Sequence, residues 1–208
     1  MIELFYANTP NGRKISIMLE EIKYPYKITL VNLKDGEQFN TKFREISPFS
    51  KIPVITDHEK NISIFESGAI LIYLAEKSGK FYDKNNRTLI NQWLIGQVAH
   101  IGPFLGQHHQ FHHYAPGKSK WGEDRYFKIA KTIYKDLDER LEKSKFLAGN
   151  EYTIADIATF PWLARHPIHD IGLKNFKHLS RWYKDISKRE AVIKGYDLLN
   201  TGEKIPKI

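Results

Sequence analysis

The first eighty residues switch repeatedly between a two-residue and a 3.6-residue hydrophobic period. Ile2, Leu4 and Tyr6 fall on one face of a short run with Glu3 and Phe5 on the other, which predicts a strand closed by the turn formers Asn8-Thr9-Pro10-Asn11-Gly12. Ile15, Met18, Leu19 and Ile22 then recur at helical spacing. A second strand fits Tyr26 to Val31, a polar Lys34-Asp35-Gly36 turn follows, and a short helix is expected from about Asn40 to Ile46. Pro53 to Thr56 and Ile62 to Phe65 are β-rich runs separated by polar residues, the pattern of a hairpin, and a helix is expected from Glu66 to about Lys77. The order βαβ, α, ββ, α describes a small mixed sheet covered by helices.

Past residue 80 the strand signals stop. Ile90, Trp93, Leu94, Val98 and Ile101 mark one helix, Tyr126 through Leu141 a second, and Phe176, Leu179, Trp182, Tyr183 and Ile186 a third. Thr153-Ile154-Ala155-Asp156 reads as a capping box that fixes another helix start. A boundary near residue 80 therefore divides an α/β domain, 1–80, from an all-helical one, 88–208.

Composition narrows the chemistry. No apolar run approaches the roughly 20 residues needed to span a bilayer, and no basic segment followed by an apolar run opens the chain, so a cytosolic protein without membrane contact is expected. There is no cysteine, which excludes disulfides, thiolate metal sites and a protein thiol nucleophile, so any sulfur chemistry uses a borrowed thiol. The net charge of +8 suits an anionic partner. Because Lys and Arg are interleaved with Asp and Glu from Arg13 to Lys207, rather than gathered in one stripe, the pattern argues against nucleic acid. His108, His109, His112 and His113 have the four-residue spacing of metal-binding pairs, but no cysteine or acid lies immediately beside them, and the expectation is no metal.

Ser50-Lys51-Ile52-Pro53-Val54, Phe65-Glu66-Ser67-Gly68-Ala69-Ile70 and Thr153-Ile154-Ala155-Asp156, in that order on this framework, closely resemble the glutathione transferase family over nearly the whole chain. The resemblance implies a thioredoxin-like α/β amino-terminal domain, an all-α carboxy-terminal domain on the second-substrate side, a homodimer, and glutathione as cosubstrate. It assigns the Ile52-Pro53 segment to main-chain pairing with the cysteinyl part of glutathione, through a bond that proline allows to be cis. It assigns Glu66 and Ser67 to the ammonium and carboxylate of the γ-glutamyl head, at a helix start suited to an anion. The same two residues also read as a plain helix cap. The resemblance puts Gln38 and Lys51 near the peptide carbonyl and the glycine carboxylate, where solvated loop residues would look identical.

Thr9-Pro10-Asn11-Gly12 departs from the Tyr, Ser or Cys that much of the family presents to the glutathione sulfur. With Tyr6 inside the first strand, Thr9 and Asn11 are left as the catalytic candidates, or as an ordinary turn. This turn and Gly102-Pro103-Phe104-Leu105-Gly106-Gln107-His108-His109 look like the bacterial nu-class subgroup, associated with glutathione-dependent disulfide-bond reduction and peroxide reduction. In that pattern Arg125 reaches the glutathione site of the other subunit; otherwise it is a solvated helix charge. The expected activity is thus a disulfide-bond oxidoreductase acting on a small disulfide or peroxide. Its rivals are conjugation to hydrophobic electrophiles, with Tyr114, Trp121 and Trp162 walling a pocket or else lying in the core, and a non-catalytic glutathione-binding protein.

Overall fold

The computed structural model describes residues 1–208. Its α/β part runs β1 (Ile2–Tyr6), α1 (Pro10–Ile22), β2 (Tyr26–Leu30), α2 (Thr41–Ile46), β3 (Val54–Asp57), β4 (Ile62–Phe65) and α3 (Ser67–Ser78). The four strands form one sheet in the order β2-β1-β3-β4. β1 and β2 are parallel, joined through α1, with Ile2 opposite Tyr26, whereas β3 lies antiparallel to β1 and to β4. A helical crossover is what a parallel pair requires, and the tight 58–61 connection is what an antiparallel hairpin requires.

Alternation decides what each face of β1 does. Ile2, Leu4 and Tyr6 are fully buried, while Phe5, on the other face, meets Phe43 of α2 edge-on at 6.0 Å. Helix α1 starts where Thr9 accepts a hydrogen bond from the Gly12 N–H at 3.1 Å and Pro10 fills the first turn, a place where its missing N–H costs nothing. Gly12 is required there, since a side chain would collide with the Ala7 carbonyl and the Tyr6 ring.

The helical part comprises α4 (Arg87–Gly96), α5 (Gly102–His108), α6 (Lys120–Glu142), α7 (Ile154–Leu163), α8 (His166–His169), α9 (Lys177–Ser187) and α10 (Glu190–Tyr196). The single helix expected through Ile101 continues as α5, but with a wider π turn over Gln97–Ile101, and a second π turn, His109–Tyr114, follows α5. Pro103 has no N–H for the carbonyl four residues back, and the backbone widens where that bond is lost. The capping box is present: the Thr153 hydroxyl accepts from Ala155 N–H, and Asp156 accepts from Thr153 N–H.

α1 is buried between the sheet and the helical part, packed on α3, α7 and α10. One continuous apolar core consequently runs from Ile2 of β1 through Leu71 of α3 to Phe160 of α7 and Trp182 of α9. The carboxy-terminal residues, to which the sequence gives no role, are strapped back onto this junction. Glu203 pairs with Arg13 and accepts from Asn8, and Tyr183 donates to the Pro206 carbonyl. No helix is long and apolar enough to cross a membrane.

Candidate functional site

A cleft of about 260 Å³ opens where the α1 start, the segment before β3 and the β4–α3 junction meet, lined by Asn11, Ser47, Lys51, Ile52, Glu66 and Ser67, with Pro53 and two phenylalanines completing the wall. Six residues singled out in the sequence come together here: Asn11, Lys51, Ile52, Pro53, Glu66 and Ser67. Thr9, Gln38 and Arg125 do not line it. The Thr9 oxygen is held by Gly12 at the helix cap, Gln38 donates to the Leu33 carbonyl at 3.4 Å, and Arg125 is exposed on α6 with its guanidinium over the Trp121 ring at 5.4 Å.

Two walls of the cleft offer unused backbone hydrogen-bonding groups. The Ile52-Pro53 bond is cis, and neither the N–H nor the C=O of Ile52 is bonded within the chain, so both backbone groups of this residue stand free at the wall beside the sheet. At the β4–α3 junction Glu66 takes a positive φ of 68°, a conformation that costs a non-glycine residue energy and recurs at ligand sites. No side chain caps α3, so the first N–H groups of its opening turn, beside the cleft, have no capping partner. The plain-cap reading of Glu66 and Ser67 therefore lacks the bond that would define a side-chain cap.

Internal bonds set which polar atoms are left over. The Trp162 indole N–H of α7 donates to Asn11 Oδ1 at 3.1 Å. Indole can only donate, so the oxygen of the Asn11 amide is the bonded end and its NH₂ is left to donate elsewhere. Ser67 Oγ likewise accepts from the Lys14 ammonium at 3.2 Å, which frees its O–H as a donor. Thr9 follows the same logic, with its oxygen on Gly12 N–H and its hydroxyl proton free. Donors without acceptors suit an anion, and a thiolate and a carboxylate are both anions.

Lys14, Gln97 and Trp162 belong to the support of this site; the sequence assigns no role to the first two, and Trp162 only as a pocket wall or core residue. One signal was available: Lys14 lies four and eight residues before Met18 and Ile22, on the apolar stripe of α1, where a charge is out of place. Trp162 is nearly buried, whereas the other proposed pocket walls, Tyr114 and Trp121, are exposed.

Trp162 is backed in turn by a buried histidine group. His109 stacks on it with ring centroids 5.8 Å apart, and His109 Nε2 and His169 Nε2 are 2.7 Å apart. Tyr134 bonds His169 Nδ1 at 2.6 Å, and His108 Nε2 bonds the His169 carbonyl at 2.8 Å. Burial pushes His109 down to about 3 and His169 well below the ordinary histidine value, so both rings are neutral in the folded protein. The unfolded chain binds protons on these rings below about pH 6.5 and the folded chain does not, so stability falls as pH drops through the window from about 6.5 towards 3. Two such histidines are expected to remove about 3–4 kcal/mol between about pH 7 and pH 5. Urea unfolding at the two pH values checks this, and a slope unchanged by His169→Gln would show that the acid sensitivity lies elsewhere.

A two-part chain with a thioredoxin-like sheet, a residue with free backbone N–H and C=O before β3, an uncapped α3 start and a donor-rich α1 turn has the construction of a glutathione-dependent enzyme class. The glutathione S-transferase N-terminal domain model matches residues 9–77 and the C-terminal domain model residues 106–190, and the chain belongs to the glutathione transferase family. Among its relatives, the disulfide-bond oxidoreductase YfcG of Escherichia coli is 42% identical over 198 residues, covering 92% of each chain. The disulfide-bond oxidoreductase YghU of the same organism is 40% identical over 93% of this chain and 73% of its own. Among solved structures, a glutathione transferase from Burkholderia graminis with two glutathione molecules bound per subunit superposes with a TM-score of 0.91 at 36% identity, covering 97% of this chain and 89% of the other. One from Pseudomonas putida with a glutathione disulfide bound per subunit gives 0.89 at 37%, covering 95% and 91%.

Proposed function

We propose that the protein is a glutathione-dependent thiol-disulfide oxidoreductase. The observation that carries this reading is the single cleft in which the free Ile52 peptide, the uncapped α3 start and the Asn11 amide donor face one another. An extended tripeptide pairs with Ile52 as an added strand, its γ-glutamyl head lies at Glu66 and Ser67, and its sulfur comes to the start of α1. There the Asn11 NH₂, the Thr9 hydroxyl and the positive end of α1 favour the thiolate over the thiol, lowering a pKa that is ordinarily near 8.5. Lys51 at the rim and Gln38 in the preceding turn serve the glycine end and the peptide carbonyl.

The thiolate attacks one sulfur of a disulfide, forming a mixed disulfide and releasing the other half as a thiolate, which takes up a proton. A second glutathione then attacks the mixed disulfide, so two glutathiones are oxidised to their disulfide as the substrate is reduced to two thiols. A peroxide takes the same two electrons and leaves as alcohol and water. Relatives named disulfide-bond oxidoreductases, and neighbours carrying two glutathiones or a glutathione disulfide, support this order of events. Glutathione-dependent reduction of a small model disulfide, coupled to recycling of oxidised glutathione, tests it. Strong conjugation to an aryl halide with no disulfide turnover would replace it with the conjugating alternative.

The working form is a cytosolic homodimer in which Arg125, exposed and unused by its own cleft, serves the cleft of the neighbouring copy. Arg125→Ala is expected to raise the KM for glutathione several-fold with little change in fold. A monomer in sedimentation at assay concentration would remove this role.

A further inference from the structure

Lys14 is a deeply buried charge behind the cleft. It is 1% exposed, and its ammonium touches only neutral oxygens, those of Ser67 and Gln97. A buried cation without a carboxylate beside it is costly and persists where something else supplies the opposite charge. The surrounding elements do not supply it at contact. Glu66 of the α3 junction acts on it only through its field. Asp156 of α7 is taken up by Thr153, Leu147 and Trp182, and Lys194 of α10 pairs with Glu20 at the surface. Arg13, the neighbour in sequence, points to Tyr196 and Glu203 instead.

What the ammonium does reach is the back of Ser67, whose front faces the cleft. We propose that Lys14 is the buried counter-charge for the α-carboxylate of the γ-glutamyl head group, acting through Ser67, and that it binds a proton from solvent as that carboxylate enters. The inference rests on the glutathione reading of the cleft. Its chemistry is simple: the ligand carboxylate accepts from the Ser67 hydroxyl and the α3 N–H groups, and the lysine proton polarises that hydroxyl while neutralising the incoming charge. Lys14 is a positioning residue, since it touches Ser67 and not the ligand.

Burial, opposed by the field of Glu66, pushes Lys14 down to about 7, so near neutrality it is divided between its two forms. A ligand that prefers the charged form raises that value, and by linkage affinity is then full below about pH 7 and falls as pH rises through the raised value. An upward shift of one unit makes binding about tenfold weaker on the alkaline side.

The test is calorimetry on the whole protein with S-methylglutathione, whose blocked sulfur cannot titrate, at about pH 8 in buffers of different ionisation enthalpy. The expected result is uptake of the order of half a proton per ligand bound. The analogue lacking the γ-glutamyl α-carboxylate should bind more weakly and take up none. Lys14→Met should lose the uptake and weaken S-methylglutathione about tenfold at about pH 6.5, with the affinities converging above about pH 9. If that variant does not fold, the comparison of the two ligands on the intact protein decides alone. Equal proton uptake with both ligands, or binding without any uptake, overturns the role of Lys14 and leaves the glutathione reading standing. No binding of S-methylglutathione at all overturns both.

Discussion

Asn11→Asp is expected to lower glutathione-dependent disulfide reduction by about a hundredfold, the size of loss that follows removal of one preorganised donor from a developing or resident anion. The variant keeps the size of the side chain and keeps an oxygen for the Trp162 indole N–H, so the α1 turn and its anchor on α7 are retained. What it loses is the NH₂ donor, and what it gains is a negative charge beside the thiolate. Both changes raise the pKa of the bound thiol, so the activity that remains should move to higher pH. Asn11→Ala removes the same donor without adding charge, so it should lose nearly as much activity with a smaller shift of the pH profile. Trp162→Phe separates orientation from chemistry. It keeps a ring for His109 to stack on but frees the Asn11 amide to turn over, so turnover should fall and its pH profile shift upward while the protein still folds. The check is kcat/KM against pH for the four proteins, together with ultraviolet absorbance of the bound thiolate. Wild-type rates and profile in Asn11→Asp would sink the assignment of the sulfur to this turn.

Asp156→Ala is expected to destabilise the fold by about 3–5 kcal/mol, enough to leave much of the chain unfolded at growth temperature. The carboxylate is wholly buried and accepts from Leu147 N–H at 3.0 Å, Thr153 N–H at 3.0 Å, the Thr153 hydroxyl at 3.1 Å and the Trp182 indole at 2.8 Å. Alanine strands three N–H donors in the core. The residue thus joins the start of α7, the strand-like turn before it and α9, and α7 is the helix that carries Trp162 to Asn11. Asp156→Asn keeps one acceptor oxygen and should cost less than half as much. Denaturant unfolding of the three proteins checks the order, and equal midpoints would mean that the bonds contribute nothing net.

The two substitutions separate what was visible in the linear chain from what was not. Local pattern is enough for β1, α1, the 54–65 hairpin and the α7 cap, because each depends on residues within a turn or two of one another: period-two alternation, a proline in a first helical turn, a Thr and an Asp three apart. The helix through residues 97–101 departs from its expected form because the π turn answers to one missing N–H at Pro103 and to packing, neither of which changes the apolar period. Only the family resemblance gave Gln38 and Arg125 ligand roles, since each is otherwise a polar surface position, and the structure leaves both, with Thr9, outside the cleft lining. Two of the four clustered histidines meet a histidine about sixty residues further along, His169, that no spacing rule connects to them.

By itself the sequence determined the α/β-then-helical order, the absence of any protein thiol and the residue types at the cleft, since these follow from composition and from contacts between near neighbours. The tertiary structure decided how those residues are used. Whether Asn11 and Ser67 present donors or acceptors depends on Trp162 and Lys14, each of which arrives from another helix, 151 and 53 residues distant along the chain. A hydrogen bond between distant residues leaves no periodic trace, because its partners are brought together by the packing of whole elements and not by local chain geometry.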